Sequence, residues 1–275
     1  MKVRLLPLLL RYLGLLLVAF VTVGPFLWLL STALKSGAEN IFAYPPQFLP
    51  QQPTLDNFAR VLESQPFLLY LKNSVLVAAL SVTANLLFAS LAAYPLARMD
   101  FHGKQLIFLV LLSSMMIPFQ LLMIPVYNLA IGLGLQNSYL GLVLPHACTA
   151  FGVFLMRQAF LGIPRALEEN AMIEGLNRLQ IWWYVLLPLV KPSLATLAVF
   201  SFIAVWGDFL WPLIILDDPA FYTLPLGVNR LANTFSMDWR LVAAGAIFSI
   251  LPILAVFLFS QKYFIEGAMR GAVKG

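Results

Sequence analysis

Six long apolar stretches run through the chain, and shorter polar segments separate them. A helix needs about 20 mostly apolar residues to cross the hydrocarbon core of a bilayer. The pattern therefore predicts an all-α integral membrane protein in which six transmembrane helices form a single domain over residues 1–275. The predicted spans are residues 12–34, 71–97, 105–131, 138–161, 191–216 and 242–264.

The first apolar stretch also has features of a secretory signal peptide, because Lys2, Arg4 and Arg11 precede it. Its run from Tyr12 to Leu34 is longer than the apolar core of a signal peptide, and no small-residue cleavage site follows it. We therefore expect this stretch to be retained as the first membrane helix.

The composition supports a lipid-facing surface. Charged residues make up only 11% of the chain and hydrophobic residues 61%, whereas soluble domains carry about 25% charged residues. Together with the mean hydropathy of +0.88, this excludes a soluble enzyme, a disordered chain and a repeat protein. The net charge of +5 does not indicate nucleic-acid binding, because the 17 basic residues are scattered. Cys148 is the only cysteine, which excludes an internal disulfide.

Lys and Arg are distributed unevenly between the predicted loops. With the N-terminus in the cytoplasm, 12 of the 17 basic residues fall on the cytoplasmic side and five fall outside. Cytoplasmic loops of membrane proteins are enriched in Lys and Arg. The distribution therefore predicts a multi-pass protein with both termini in the cytoplasm.

Prolines lie near the middle of three predicted spans, at Pro118 and Pro125, at Pro145, and at Pro252. A proline removes one backbone donor and tends to kink a helix. These positions are consistent either with ordinary prolines of membrane helices or with a set of bends around a translocation path.

The loop at residues 36–70 carries a helical signal of its own. Thr54 is placed to cap a short helix that has an apolar face at helical spacing. We expect this helix to lie on the membrane surface or on a partner. Its apolar positions are Leu55, Phe58, Ala59 and Leu62.

The segment at residues 162–192, predicted to be cytoplasmic, concentrates three of the 12 acidic residues within seven positions. Pro164 suits the start of a helix, and Gly175 permits a sharp turn or a close backbone approach after it. The residue pattern allows either a helix–turn–helix that docks a soluble partner or a solvated connector. The three acidic residues are Glu168, Glu169 and Glu174.

The same segment contains a spaced motif. Its residues are Glu169-Asn170-Ala171-x-x-Glu174-Gly175, Trp182, Val185, Leu187-Pro188-Leu189 and Pro192. This run resembles the EAA loop of ABC importer permeases, which reads E-A-A-x-x-D-G, then an aromatic residue, I-x-L-P-L and a further proline. Gly175 and Pro188 are 13 residues apart, as in that loop, while Asn170, Glu174 and Val185 depart from it. The match extends over 24 residues and favours docking over a connector.

Other stretches are similar to the carbohydrate-uptake branch of that family, and within it to the shorter permease subunit of the maltose-permease type. They are residues 132–138, 204–213 and 271–275. The resemblance implies the ABC importer permease fold in the plasma (inner) membrane of a bacterium or archaeon. It also implies a function as half of a heterodimeric pathway for uptake of a sugar, a related polyol or glycerol phosphate.

The resemblance further implies partners and docking residues. The partners are a second permease subunit, a dimer of cytoplasmic ATPases that binds the ATP, an extracytoplasmic solute-binding protein, the lipid bilayer and the sugar substrate. The helix at residues 169–175 is then the coupling helix that docks on the ATPase. The docking residues are Glu169, Ala171, Glu174, Gly175 and Pro188.

The residues themselves give no sign of catalysis. The phosphate-binding pattern G-x-x-x-x-G-K-[ST] is missing, because Gly103-Lys104 lacks the upstream glycine and the hydroxyl. His102 and His146 are 44 residues apart and no H-E-x-x-H motif occurs, which disfavours a zinc protease. We therefore expect a transport subunit rather than an enzyme, with no catalytic residue, no metal and no cofactor in this chain.

An ion-coupled secondary carrier is an alternative, and it requires ionisable residues inside the spans. Asp208 is the one clear candidate, with Trp206 and Trp211 beside it. These three residues either contact a sugar in the pathway, or Asp208 is a structural residue paired with a neighbouring helix. A non-carbohydrate ABC importer permease is a further alternative. The polar residues that could line a cavity or bond between helices are Asn73, Asn85, Gln120 and Asn128.

Overall fold

The computed structural model describes residues 5–232 and 238–272, and all regular secondary structure in these two ranges is helical. The predicted all-α class is confirmed. A short 3₁₀ turn at Pro219–Phe221 follows the helix Leu210–Ile215. The helices in chain order are α1 (Leu5–Leu34), α2 (Asp56–Ser64), α3 (Phe67–Arg98), α4 (Lys104–Ser114), α5 (Phe119–Gly132), α6 (Tyr139–His146), α7 (Ala150–Leu161), α8 (Ala166–Ile173), α9 (Arg178–Leu189), α10 (Lys191–Trp206), α11 (Leu210–Ile215), α12 (Leu224–Ala232) and α13 (Trp239–Ala272).

Three of the described helices are individually long and apolar enough to cross a membrane, namely α1 from Pro7, α3, and α13 as far as Gln261. Three further spans arise only if bent pairs of helices are counted as one span each. These pairs are α4 with α5 at 102°, α6 with α7 at 45°, and α9 with α10 at 83°. The predicted number of six spans is therefore reached only if each bent pair is one span, and the last of these pairs begins at Arg178 instead of at residue 191.

The predicted span at residues 105–131 is interrupted where α4 gives way to α5. Pro118 adopts an extended backbone conformation with φ −59° and ψ 135°, and α5 starts at the next residue. Because proline has no N–H and restricts the residue before it, the first helix cannot continue through this position. The break between α4 and α5 thus includes Pro118, whereas Pro125 and Pro252 lie inside α5 and α13.

The prediction of one continuous helix over residues 191–216 is wrong. Helix α10 ends at Trp206 and α11 begins at Leu210. Between them, an Asp208 carboxylate oxygen accepts a hydrogen bond from the backbone N–H of Trp211 at 3.3 Å. Aspartate competes for backbone donors in this way at helix starts, so Gly207 and Asp208 favour a break rather than a continuous helix.

The chain forms two compact units, and each unit boundary falls inside a helix. The larger unit is Leu69–Leu226 with the chain from Pro252 onward. Its core contains buried residues of α3, α7, α9 and α10, and α3 approaches α7 closely at Gly152. A Cβ atom at Gly152 would lie 2.9 Å from the Ala89 Cβ atom, so only glycine fits this crossing. The largest buried side chains of the core are Tyr94, Met156, Phe160, Trp182, Leu186 and Leu197.

The smaller unit, Met1–Leu68 with Gly227–Leu251, contains the loop after α1 and the short helix α2. The predicted short helix is present, but the predicted Thr54 cap is wrong: the N-cap residue is Leu55, and no side chain caps the helix. The Thr54 hydroxyl instead accepts a hydrogen bond from the N–H of Asp56 at 3.1 Å, in a turn just before the helix. The buried Asn57 amide donates to the carbonyls of Ala33 and Lys35, both at 2.8 Å, and so caps the end of α1. The apolar side chains of Leu55 and Leu62 remain exposed.

Candidate functional site

Helix α8 lies at the centre of the segment that carries the EAA-type motif, and its two faces differ. Glu168 and Ala171, one helical turn apart, are buried. The opposite face is exposed and combines Glu169 with apolar side chains, of which Ile173 is 84% exposed. Leu167 and Met172 are also exposed. An exposed apolar surface of this kind on a polar segment is typical of a protein–protein contact.

The chain reverses direction after α8 through a left-handed residue. Gly175 has a φ of +90°, a conformation that residues with a side chain rarely adopt. Its N–H donates to the carbonyl of Met172, and the N–H of Leu176 donates to the carbonyl of Ala171, both at 3.0 Å. These two bonds form a Schellman motif, which satisfies the last carbonyls of the helix. The sharp turn predicted at Gly175 is confirmed.

Helix α9 begins immediately after this turn with a reciprocal capping box. The Asn177 side chain accepts from the N–H of Gln180 at 3.0 Å, and the Gln180 side chain accepts from the N–H of Asn177 at 2.8 Å. Residues Ile181–Leu186 then form a π-helical segment in which Trp182 is buried. Pro188 follows on the exposed surface, next to the 83° bend that leads into α10.

A buried ion pair lies beneath α8. The Arg98 Nε and Glu168 Oε1 atoms are 2.7 Å apart, and the two side chains are only 5% and 7% exposed. Arg98 is the last residue of α3, and its Nη2 donates a hydrogen bond to the carbonyl of Ile163 at 2.6 Å. Burial raises the pKa of Glu168, while the charges of Arg98 and Arg165 oppose that rise.

The structure separates the predicted docking residues into two groups. Glu169, Glu174, Gly175 and Pro188 are exposed on the segment between α7 and α10. Ala171 is only 7% exposed and packs in the core of the larger unit, so its side chain faces inward instead of toward a partner. Glu168 belongs to the same inward face. Its i, i+3 spacing from Ala171 is the signal by which the sequence could have identified it.

The predicted pathway residues surround the break between α10 and α11. The Asp208 carboxylate lies 3.2 Å from the imidazole Nε2 of His146, and each side chain keeps about a fifth of its surface exposed. Trp211 is 1% exposed, and its indole N–H donates to the carbonyl of Gly141 at 2.9 Å. Trp206 is also buried and stacks on Phe202 with ring centroids 5.2 Å apart. Asp208 therefore keeps more exposed surface than either tryptophan.

The sequence left open whether four polar residues line a cavity or form hydrogen bonds between helices. Two of them, Asn73 and Asn85, form hydrogen bonds that connect elements of the larger unit. The Asn85 amide of α3 donates to the hydroxyls of Ser201 at 2.7 Å and Thr149 at 3.1 Å. The Asn73 amide donates to the carbonyls of Ala220 and Tyr222. The other two, Gln120 and Asn128, are exposed.

The acidic pair Asp217-Asp218 is held by the segment that connects α5 to α6. The side-chain oxygen of Asn137 accepts from the N–H groups of Asp217 at 2.7 Å and Asp218 at 2.9 Å. The Gln136 amide donates to the Asp217 carboxylate at 2.5 Å. Within the described residues, no group of three or more His, Cys, Asp or Glu side chains is arranged to hold a metal ion.

Known transport permeases are similar to this chain over most of its length. The family described as "Binding-protein-dependent transport system inner membrane component" matches residues 85–268. The arabinooligosaccharides transport system permease protein AraQ of Halalkalibacterium halodurans is 36% identical, and the match covers 95% of each chain. The lactose transport system permease protein LacG of Rhizobium radiobacter is 32% identical over 98% of each chain. The sulfoquinovosyl glycerol transport system permease protein SmoH of Agrobacterium fabrum is 32% identical over 91% of this chain and 88% of its own.

A solved structure is similar over the same length. It is a chain of a bacterial ABC transporter involved in the import of the acidic polysaccharide alginate, with a TM-score of 0.85, 26% identity, and coverage of 96% of this chain and 99% of that chain. The predicted ABC importer permease fold is thereby confirmed. The chain belongs to the family of binding-protein-dependent transport system inner membrane components and is a permease subunit of an ABC importer.

Proposed function

We propose that this chain forms half of a membrane pathway that imports a carbohydrate, or a related polyol or glycerol phosphate, with energy from ATP. The observation that carries the proposal is the near full-length similarity to permeases named for arabinooligosaccharides, lactose and sulfoquinovosyl glycerol. The other half of the pathway is a second permease subunit. An extracytoplasmic solute-binding protein delivers the substrate, in keeping with the family description.

The coupling helix of this importer is α8, and its exposed face docks on a cytoplasmic ATPase dimer. Three features support this assignment. Glu169 and Glu174 supply exposed negative charge, Ile173 supplies exposed apolar surface, and the Gly175 turn leaves open space around its Cα atom. Pro188 completes the docking surface from α9, while Ala171 supports it from within the core. Burial of Ile173 against a partner would remove apolar surface from water and so favour docking.

ATP is bound and hydrolysed by the partner ATPase and not by this chain, which holds no catalytic residue, metal or cofactor of its own. The absence of a G-x-x-x-x-G-K-[ST] run from the sequence supports this division of labour. The 12-to-5 distribution of Lys and Arg supports an orientation with both termini and α8 on the cytoplasmic side of the inner membrane.

Asp208 contacts the solute in the pathway, through hydrogen bonds from sugar hydroxyls to its carboxylate. Its partly exposed position at a helix break supports this role. Trp206 and Trp211 act indirectly, because both are buried: Trp211 shapes the break by bonding to Gly141. The His146–Asp208 contact is also the one observation that favours an ion-coupled carrier, since a carrier uses ionisable groups inside its spans.

The test is uptake into proteoliposomes that contain this chain with its sister permease and ATPase. Radiolabelled lactose, an arabinooligosaccharide and glycerol phosphate are offered together with the purified binding protein. We expect uptake of one of these solutes that requires hydrolysable ATP and the binding protein. Uptake driven by an ion gradient without ATP would establish the carrier instead. ATP-driven uptake of non-carbohydrate solutes alone would contradict the proposed substrate class.

A further inference from the structure

A charged contact joins the buried face of helix α8 to the membrane helix α3. Glu168 points inward from α8, and Arg98 ends α3. The 2.7 Å separation of Arg98 Nε and Glu168 Oε1, with both side chains less than a tenth exposed, leaves water little access to the contact. Charges interact more strongly in such a site than on a protein surface, because the local dielectric constant is lower.

Arg98 contacts both Glu168 of α8 and the chain just before α8. Its Nη2 donates to the carbonyl of Ile163, which lies just before α8. Two residues earlier in the chain, the carbonyl of Leu96 accepts a hydrogen bond from Arg157 Nε of α7 at 3.1 Å. The end of α3 is therefore fixed both to α7, which precedes the docking segment, and to α8 itself.

Ala171 supplies an apolar contact of α8 with the core. Apolar contacts are non-directional and permit small sliding movements. A buried ion pair is different, because separating its partners leaves an uncompensated charge in the interior. A buried pair contributes little net stability compared with well-packed apolar residues, so its distinctive property here is to fix the position of α8 relative to α3.

We propose that the Arg98–Glu168 ion pair is the positioning contact through which movement of α8 is transmitted to α3 during transport. This inference rests on the proposed function, in which α8 docks on the ATPase. Arg98 and Glu168 are positioning residues: neither touches solute or nucleotide. When the ATPases move α8, the pair makes the end of α3 move with it.

The test compares Glu168→Gln with a matched control in the full reconstituted importer. Glu168→Gln keeps the shape of the side chain and removes its charge. Asp100→Asn removes a carboxylate that is 85% exposed, two residues beyond Arg98, and serves as the control. The readouts are binding-protein-stimulated ATP hydrolysis, solute taken up per ATP hydrolysed, and co-purification of the ATPase.

We expect Glu168→Gln to lower uptake per ATP by about fivefold or more, in the range of ordinary coupling energies, while the ATPase still co-purifies. Asp100→Asn should match the wild type. Unchanged uptake per ATP in Glu168→Gln would overturn the positioning role while leaving the proposed function intact. Failure of the wild-type complex to couple ATP hydrolysis to uptake would instead overturn the proposed function, and this inference with it.

A charge swap covers the case in which Glu168→Gln fails to assemble. The double variant Arg98→Glu with Glu168→Arg restores opposite charges at the two positions. We expect it to recover assembly and at least part of the uptake per ATP that either single reversal loses. An assembled double variant that couples no better than the single reversals would contradict the proposal.

Discussion

The imidazole of His146 lies 3.2 Å from the carboxylate of Asp208, and this contact joins two breaks in the membrane helices. His146 ends α6, before the 45° bend to α7, and Asp208 lies between α10 and α11. The Asp208 carboxylate also accepts a hydrogen bond from the N–H of Trp211. The same side chain therefore contacts both the first turn of α11 and the end of α6. The geometry of the two breaks is therefore interdependent.

Replacing Asp208 is expected to disturb uptake more than replacing Asp217. Asp208→Asn keeps an acceptor for the N–H of Trp211 but loses the charge that faces His146. We expect a higher KM or a lower uptake rate for Asp208→Asn, measured in proteoliposomes. Asp217→Asn is the matched control, because Asp217 is exposed and bonds to Gln136. Equal, near wild-type uptake by both variants would remove Asp208 from the pathway.

The direct contact also predicts that substitutions at His146 and Asp208 are not additive. Residues in contact share an interaction that either substitution removes. We expect the effect of Asp208→Asn on the melting temperature to be smaller in a His146→Gln background than in the wild type. Effects that add in full would show that the two side chains do not interact in the assembled protein.

Substitution of Gly175 is expected to impair uptake without preventing assembly of the membrane subunits. A side chain at its φ of +90° is strained by about 1–2 kcal/mol, and it would also project into the open space where docking is proposed. Gly175→Val should therefore abolish uptake, whereas Gly175→Asn should retain part of it, because asparagine tolerates this conformation. Gly132→Ala, which meets no atom within 4 Å, is the control. Normal uptake by Gly175→Val would contradict the docking assignment.

Asn85 and Asn128 provide a matched pair for testing which polar residues hold the helices together. Asn85 is buried and bonds to Thr149 and Ser201, while Asn128 is exposed. We expect Asn85→Ala to destabilise the protein by about 1–2 kcal/mol, as for interhelical hydrogen bonds in membranes. Thermal unfolding in lipid nanodiscs measures the difference, and Asn128→Ala should leave the melting temperature unchanged. Equal melting temperatures for the two variants would contradict the assigned role of Asn85.

The smaller unit should lose stability in acid through Asp238. Burial of this carboxylate acts to raise its pKa, but hydrogen bonds and charge from Arg240, with a further bond from Arg60, lower the pKa overall. A lowered pKa stabilises the fold above the ordinary value of about 3.9, and this contribution is lost as the pH falls through the lowered pKa. Wild type should therefore melt higher than Asp238→Asn at pH 6, and the gap should begin to narrow near about pH 4 and keep shrinking as the pH falls further.

The exposed Glu63 of α2 supplies the control for this pH dependence. Glu63→Gln should follow the wild-type curve, because it removes a carboxylate of the same unit without breaking the Asp238 contacts. A gap between wild type and Asp238→Asn that stays constant down to pH 3 would show that the carboxylate contributes nothing through its ionisation.

The sequence predicted the features that depend on local chemistry. Apolar length indicated where candidate membrane helices lie, and Gly175 marked the turn after α8. The sequence did not predict features that depend on contacts with other side chains or with the backbone of nearby residues. The length rule treated residues 191–216 as one helix, because the capping bond from Trp211 to Asp208 does not alter apolar content.

The same limit applies to the orientation of side chains within the candidate site. Glu168 and Glu169 are equally acidic in the sequence, yet Glu168 faces inward because Arg98, 70 residues earlier, is placed beneath it by the packing of α3. Trp211 was a candidate for stacking on a sugar, but its indole N–H finds a partner at Gly141 and the ring is buried. Pairings at such separations are fixed by tertiary packing and leave no local pattern.

The Schellman turn at Gly175 has a consequence for the entropy cost of binding a partner. Its two backbone bonds, together with the capping box of α9, close the reversal without help from any other chain. A surface that is already rigid loses little conformational entropy on association, so capture of a partner needs no folding step. Docking at the proposed coupling surface would therefore leave the backbone of this reversal as it is already folded.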